Sequence, residues 1–498
     1  MVERISTGVP GLDTILDGGL FSQRAYMVSG GPGTGKTTLC LHFLATNDRE
    51  PSLMITLDKN LDKLHWMAER LGLVSDGLVL EDLSPGDVRE ETRASFDVVP
   101  SSELGLGPLV ERICQAVERH RPSRVAIEPL SSLWALAPDN YQFRRQCQAL
   151  FNFLTERGAT LIFSTEDTSL FQGQIPVADL YFVADGIVNL QRMSAGRMVS
   201  ITKFRGSGFA NGEHFMRLTS GGMEVFPQLV PSDGHRPKEG RQVSSGLKEL
   251  DSLLKGGLDT AALTMIAGPT GVGKTTLGMQ FVTALAQEGE QALVCTFEEG
   301  GESILRRSQA LGMPVDELIR DGSLEVRTIE PMRYAPDELA QALRSDVEER
   351  GVRTVMLDGS AGYKVSVSNL AVAGEDVARR LHALCRYLVS AGVTVILINE
   401  TPTISSETVI AADPNMTYLS DTLISLRYLE VDSELQKAIS IIKRRAGDFE
   451  KTLHRYDITN EGLRIGPHLR GLQGILRGQP VQQGPKHHGE EPRNGSAE

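Results

Sequence analysis

Two octapeptides constrain this chain more than any other part of it: Gly30-Gly31-Pro32-Gly33-Thr34-Gly35-Lys36-Thr37 and Gly268-Pro269-Thr270-Gly271-Val272-Gly273-Lys274-Thr275. Both fit the phosphate-loop pattern G-x-x-x-x-G-K-[ST]. Glycines let a backbone close around an anion with several N–H groups turned toward its oxygens. The lysine adds a point charge near the β- and γ-phosphates, and the threonine hydroxyl is a ligand for Mg²⁺. Each loop follows an apolar run (Ala25–Ser29, Leu263–Ala267) and leads into another with helical spacing (Leu39–Ala45, Leu277–Leu285). Strand, loop and helix in that order put a phosphate at a helix N-terminus. The expected ATP-binding residues are Gly31, Gly33, Thr34, Gly35, Lys36, Thr37 and Thr38 in the first copy. In the second they are Gly271, Val272, Gly273, Lys274, Thr275 and Thr276.

The repeat extends beyond the loops. They begin 238 residues apart (268 − 30), and the same offset relates Gly8-x-x-x-Leu12-Asp13-x-Ile15-Leu16-x-Gly18-Gly19-Leu20 to Gly246-x-x-x-Leu250-Asp251-x-Leu253-Leu254-x-Gly256-Gly257-Leu258 without a gap. Leucine and isoleucine at helical spacing, closed by paired glycines, predict a short helix ahead of each loop as a lid-like preface to its site. The chain therefore reads as a tandem duplication of one α/β unit. In the first unit, strands are expected at Ser52–Leu57, Ser123–Ile127 and Ala159–Ser164, with short ones at Leu180–Val183, Ile187–Leu190 and Met198–Lys203. Helices are expected at Leu61–Leu71, Leu109–Arg119 and Arg144–Glu156. The second unit repeats the strands at Ala292–Thr296, Thr354–Leu357, Thr394–Ile398, Thr422–Leu426 and Ala438–Lys443. Alternating strands and helices specify a mainly parallel central sheet, and the closing hairpins an antiparallel edge. The domains expected are 1–227 and 243–466, joined by a Pro-, Gly- and charge-rich linker at 228–242. A tail at 467–498 reads as mostly disordered, above all beyond about residue 480.

Composition disfavours some functions. Asp and Glu number 64 against 51 Lys and Arg, a net charge of −13, whereas a sequence-independent nucleic-acid binder needs basic charge to displace counterions. The five cysteines form no C-x-x-C pair and read as free thiols of a reducing compartment. The histidines show no metal-ligand spacing, and His487-His488 lies in the polar tail. No signal-like segment opens the chain and no apolar run reaches the length of a membrane span, so a soluble cytoplasmic protein is expected.

Hydrolysis needs more than a phosphate loop: an acid for Mg²⁺, a base for water, and positive charge at the γ-phosphate. The acid belongs at the end of an apolar strand. Thr354-Val355-Met356-Leu357-Asp358 supplies Asp358, and the matching Arg124-Val125-Ala126-Ile127-Glu128 supplies Glu128. The metal ligands expected are thus Thr37 with Glu128 and Thr275 with Asp358. The base belongs on the neighbouring strand. There Thr296-Phe297-Glu298-Glu299 offers two carboxylates that divide the work, one taking the proton and one orienting it. The first unit has Thr56-Leu57-Asp58-Lys59, one acid shortened and the other replaced by a cation, so that site is expected to bind ATP and turn it over more slowly. Late in each unit come Lys203-Phe204-Arg205 and Lys443-Arg444-Arg445, 240 residues apart (443 − 203). Such pairs suit an arginine-finger role on a neighbouring subunit, which requires an oligomer.

The paired loops, the Gly-Gly-Leu prefaces, Phe297-Glu298-Glu299 and the two K-x-R pairs together resemble the KaiC family of double-domain, RecA-like ATPases and autokinases, over about residues 1–466. The resemblance implies a two-tiered homohexamer with ATP and Mg²⁺ between subunits, Lys203, Arg205, Lys443 and Arg445 acting in trans, and Glu298 and Glu299 as base and helper. In the circadian-clock members the N-terminal ring is the main ATPase. Here Asp58-Lys59 and Glu128 shift that expectation to the C-terminal ring. By alignment to Asp421-Thr422, the family's phosphoacceptor pair falls on Thr417-Tyr418, which leaves Thr417 as the acceptor for single-site autophosphorylation. A KaiB-like or two-component partner reading the nucleotide state is implied. Two other readings stand beside this switch: a low-turnover scaffold that binds ATP to assemble, and a RecA-like DNA-dependent ATPase, against which the acidic charge counts.

Overall fold

The structure is a computed structural model and describes residues 3–46, 50–58, 61–84, 106–166, 179–193, 196–229, 241–330, 334–360, 362–363, 374–401, 418–431, 433–469, 472–473 and 481–482. The chain divides into two compact units, Met1–Gln228 and Leu229–Glu498.

In the first unit, a small ladder of β1 (Arg4–Ile5) with β2 (Leu20–Phe21) precedes a nine-stranded sheet. Its strands are β3 (Ala25–Gly30), β4 (Ser52–Thr56), β5 (Leu78–Asp82), β6 (Arg124–Glu128), β7 (Thr160–Thr165), β8 (Gly186–Met193), β9 (Gly196–Phe204), β10 (His214–Thr219) and β11 (Gly222–Phe226). The spatial order is β5-β4-β6-β7-β3-β8-β9-β10-β11. Pairing is parallel from β5 to β8 and antiparallel from β8 to β11.

The second unit opens with β12 (Gln242–Val243) and β13 (Leu258–Asp259). Its large sheet comprises β14 (Leu263–Gly268), β15 (Ala292–Thr296), β16 (Leu324–Thr328), β17 (Thr354–Asp358), β18 (Thr394–Glu400), β19 (Thr422–Val431), β20 (Glu434–Arg444), β21 (His454–Thr459) and β22 (Gly462–His468). The order β16-β15-β17-β18-β14-β19-β20-β21-β22 repeats the first strand for strand, with the same change from parallel to antiparallel at its sixth member. The duplication read from motifs is thus a duplication of topology.

Successive residues of a buried strand point to opposite faces, and the core shows it. Tyr26 and Val28 pack with Leu39, Phe43 and Val225 on one face, while Ala25 and Met27 pack with Ile113, Phe143 and Leu150 on the other. The helix Lys36–Ala45 that follows the first phosphate loop buries Thr38 through Leu44, so it is enclosed on all sides. Its counterpart Lys274–Gln287 is enclosed in the same way.

Three expectations change. Leu180–Val183 is one helical turn, not a strand; a four-residue apolar run has no periodicity that separates the two. The preface helices Pro10–Ile15 and Lys248–Leu253 exist, but the first is a fixed wedge and not a lid. Leu12, Ile15 and Leu16 are buried in the core with Phe43, and a Cβ on Gly11 would stand only 1.9 Å from the carbonyl oxygen of Val225 in β11. In the tail read as disordered, β22 continues to His468 and Leu472–Gln473 pairs with Val481–Gln482; apart from Leu469, the rest of 467–498 lies outside the described residues.

Candidate functional site

Each phosphate loop leaves the central strand of its nine-stranded sheet, β3 or β14, and enters its helix through a glycine at φ +110°, Gly35 or Gly273. Only glycine takes that conformation without strain. Thr34 Oγ1 donates to the Gly31 carbonyl at 2.9 Å and Val272 is fully buried, so side chains pin both loops from within. Lys36 Nζ donates to the carbonyls of Gly30 (2.6 Å) and Gly31 (3.0 Å), and Lys274 Nζ to that of Pro269 (2.9 Å). Each ammonium is folded back over its own loop, from which phosphate oxygens would draw it. Thr38 and Thr276 are buried as the third residue of each helix.

The hydroxyl that follows each lysine meets the acid expected for it. Thr275 Oγ1 donates to Asp358 Oδ1 at 3.1 Å, and Thr37 Oγ1 to Glu128 Oε1 at 2.6 Å. The extra methylene of Glu128 does not carry its carboxylate past the threonine. A hydroxyl beside a carboxylate is an all-oxygen donor set of the kind Mg²⁺ takes. Among the described residues no group of three or more His, Cys, Asp or Glu side chains is placed to hold a metal by itself. The remaining ligands would therefore be phosphate oxygens and water.

In the second unit these groups line one cleft of about 320 Å³, together with Glu298, Glu299, Arg307, Gly359 and Glu400. Burial pushes the Asp358 carboxyl up to about 6; the Thr275 hydrogen bond opposes this, and the charges of Glu298 and Glu299 reinforce it. Burial pulls the Lys274 ammonium below its ordinary value, against the attraction of Glu400, Asp358 and Glu298. Glu298 is exposed just past the end of β15 and lies over Gly359, which has φ +102°. A Cβ on Gly359 would stand 3.0 Å from Glu298 Oε1, so a glycine makes room for that carboxylate. Glu299 lines the same cleft but is engaged by side chains of the helix that follows it. Its Oε1 and Oε2 accept from Arg307 at 2.8 and 2.9 Å, and Oε1 also accepts from Ser303 at 2.6 Å.

The first unit lacks this arrangement. Asp58 is exposed at the matching strand end, and Lys59 lies outside the described residues. After Glu128 comes Pro129, with φ −84°, where the second unit has Gly359.

The K-x-R pairs are at the far end of the sheet from their own loops. Lys203 is in register with Ile187, which pairs with Met27, three residues before Gly30 and two strands away. At about 3.3 Å per residue and 4.8 Å per strand, that separation exceeds the reach of a lysine side chain. Lys203 Nζ donates to Tyr181 O at 2.7 Å and Arg205 to Phe182 O at 3.1 Å. Lys443 and Arg445 both donate to Tyr418 O, at 3.2 and 2.6 Å. Arg205 and Arg445 also face Asp185 and Asp421, each at 3.7 Å. Thr417 lies outside the described residues.

Sequence reasoning missed Arg307, Gly359 and Glu400. The first carried a signal, since Glu299, Ser303 and Arg307 are spaced by four, and Ser303 and Arg307 share the helical face that looks back toward Glu299. Glu400 is in register with Gly268, the first residue of the loop, and that adjacency exists only in the folded sheet.

No helix among the described residues is long and apolar enough to cross a membrane. A family model described as "ATPase: KaiC" matches residues 5–230 and again residues 243–470. The chain is 28% identical over 496 residues to the circadian clock oscillator protein KaiC of Thermostichus vulcanus, covering 97% of this chain and 92% of that relative. To the protein of the same name from Synechococcus elongatus it is 27% identical over 494 residues, covering 97% and 92%. To circadian clock protein KaiC3 of Synechocystis sp. it is 26% identical over 496 residues, covering 96% and 95%.

Proposed function

The chain belongs to the KaiC family of ATPases, and from that premise we propose that it binds ATP in both units and hydrolyses it mainly in the C-terminal one. The observation that carries this reading is the cleft shared by Lys274, Thr275, Asp358 and Glu298. The working domains are 1–227 and 243–466, with 228–242 as linker.

In this reading the loop amides from Gly271 to Thr276 and the Lys274 ammonium take the β- and γ-phosphates. Thr275 and Asp358 would hold Mg²⁺, which when bound neutralises charge developing on the phosphates. Glu298 holds the attacking water and accepts its proton as the water oxygen bonds to the γ-phosphorus. The bond from that phosphorus to the bridging oxygen breaks, and ADP leaves with the electron pair. Thr37 and Glu128 would hold Mg²⁺ at the first site. With the shorter Asp58 and no second acid, that site retains nucleotide with little turnover and serves assembly.

Lys203, Arg205, Lys443 and Arg445 act on the nucleotide of a neighbouring subunit, because their own loop is out of reach. The assembly is then a homo-oligomer, a hexamer by family resemblance. ATP and ADP states differ in binding free energy across such interfaces, which makes the assembly a switch that a KaiB-like or two-component partner reads. Thr417 is the proposed acceptor for autophosphorylation.

Turnover of γ-labelled ATP by wild type, Glu298→Gln and Lys36→Ala, with phosphopeptide mapping of the same samples, tests this. Turnover lost in Glu298→Gln and kept in Lys36→Ala is the expected result, with label on Thr417 in wild type. Turnover that survives Glu298→Gln returns catalysis to the first unit, and unlabelled protein removes the kinase.

A further inference from the structure

The two acids at the end of β15 are adjacent in sequence but differ in their surroundings. Glu298 projects over Gly359 into the cleft. Glu299 accepts three hydrogen bonds, two from the Arg307 fork and one from Ser303. Its backbone is held too, since Thr296 Oγ1 donates to the Glu299 carbonyl at 2.7 Å. Ser303 and Arg307 sit one turn apart on the helix Gly301–Ala310, so both donors point back toward its N-terminus and reach Glu299, two residues ahead of it.

We propose that Arg307 is a positioning residue that clamps Glu299 out of proton transfer and so confines the base of the C-terminal site to Glu298. The inference rests on the hydrolytic reading of this cleft and deepens it. A planar guanidinium engaging both oxygens of a carboxylate fixes its orientation as well as its charge. A base needs a lone pair directed at water, and here the fork and the serine hydroxyl occupy three of the roughly four lone-pair sites of Glu299, both of those on Oε1 and one on Oε2. Burial alone would raise the Glu299 carboxyl, but hydrogen bonds from Arg307 and Ser303 outweigh it and hold the group below its ordinary value. A weaker base is the consequence. Arg307 and Glu299 are 40% and 32% exposed, so the pair adds little to stability. Its effect is to decide which of two neighbouring acids is available. The first unit has Lys59, Lys63 and Met67 at the three matching positions and so encodes no such clamp.

The test uses the full chain and five variants: Glu298→Gln, Arg307→Gln, Glu298→Gln/Arg307→Lys, Glu298→Gln/Arg307→Gln, and the triple variant that adds Glu299→Gln to the last. Steady-state ATP turnover, ATP affinity and the thermal melt are measured for each. Glu298→Gln is expected to lower kcat by about 10²–10⁴-fold, the usual worth of a positioned base. Releasing Glu299 in the double variant is expected to restore about 10-fold or more, and the triple variant to lose that recovery. ATP affinity should stay level across the three, a pattern that a merely structural arginine does not produce. Arg307→Lys keeps the charge without the fork and, in the Glu298→Gln background, should restore less than Arg307→Gln. A double variant that melts like wild type yet is no more active than Glu298→Gln overturns the clamp alone. If the double variant does not fold, equal turnover of the Arg307→Lys and Arg307 forms in the Glu298→Gln background overturns it instead. Turnover that survives Glu298→Gln overturns the hydrolytic reading, and the clamp with it.

Discussion

Gly359→Ala measures how closely the placement of Glu298 limits turnover. Gly359 has φ +102°, and an added Cβ would stand 3.0, 3.2 and 3.4 Å from Oε1, Cδ and Cγ of Glu298. Two costs follow, on different observables. A left-handed conformation costs an L-residue about 1–2 kcal/mol. For a unit of this size that lowers the melting temperature by roughly 2–8 °C. The steric cost falls on the flexible end of Glu298, which gives way by a few tenths of an ångström. A displacement of about 1 Å costs on the order of 10²-fold in rate, so a drop in kcat of roughly 5- to 30-fold is expected. The KM for ATP should stay within about 2-fold, because the phosphate loop is untouched. Gly289→Ala isolates the backbone cost: Gly289 has φ +91° and nothing within 4 Å of its added Cβ. It follows the C-terminus of the helix Lys274–Gln287, remote from the cleft. That variant should melt early by a similar amount and keep full turnover. The reasoning fails if Gly359→Ala turns over within about 2-fold of wild type, or if Gly289→Ala loses as much rate.

Wild type should bind two ATP molecules per chain by equilibrium dialysis, and Lys36→Ala and Lys274→Ala one each, since each lysine serves only its own loop. Arg445→Ala and Lys274→Ala should each be nearly inactive, by about 10³-fold for a lost arginine finger. Mixed in equal amounts and allowed to exchange subunits, they should regain about a quarter of wild-type turnover, the statistical share of interfaces pairing an intact loop with an intact finger. A mixture no more active than its components would place the finger in cis. His42 is buried and its Nε2 accepts from the Met223 N–H at 2.8 Å; burial lowers its pKa below the ordinary 6.5, against a hydrogen bond at Gly8. A base depressed on folding gives stability that is present above its unfolded pKa and lost as pH falls through the folded value. The urea midpoint of the first unit should therefore fall as pH drops below about 6.5, and this slope should shrink in His42→Gln, where an amide oxygen keeps the acceptor.

The sheet was largely legible because its strands are buried on both faces and read as apolar runs, as at Arg124–Glu128 and Thr354–Asp358. The duplication was legible twice, once in motifs and once in strand order. Leu180–Val183 was not, since Leu180 faces the core while Phe182 is exposed, and a four-residue run cannot show that. The partnership of Thr275 with Asp358, and of Thr37 with Glu128, followed from knowing which strand ends lie beside a phosphate loop. What separates Glu298 from Glu299 did not follow. It depends on a helix that begins at Gly301, after one intervening glycine, and brings Arg307 back onto Glu299, and on the backbone angle of a glycine just past the end of β17. The K-x-R pairs were found by recurrence, but only the register of β8 and β9 puts them out of reach of their own loop.

Gly359 in one unit and Pro129 in the other leave the two sites unequal at one backbone position. A proline's ring fixes φ near −65°, so the backbone after Glu128 has no access to the angle that makes room beneath Glu298 in the other unit. Lengthening Asp58 to glutamate would restore the acid and not its niche. Reaching the second site's arrangement takes at least two changes, at Asp58 and at Pro129, past the ends of two different strands. The two sites are in this sense not interchangeable: a single side-chain swap alters the acid at the first and leaves the backbone that would seat it unchanged.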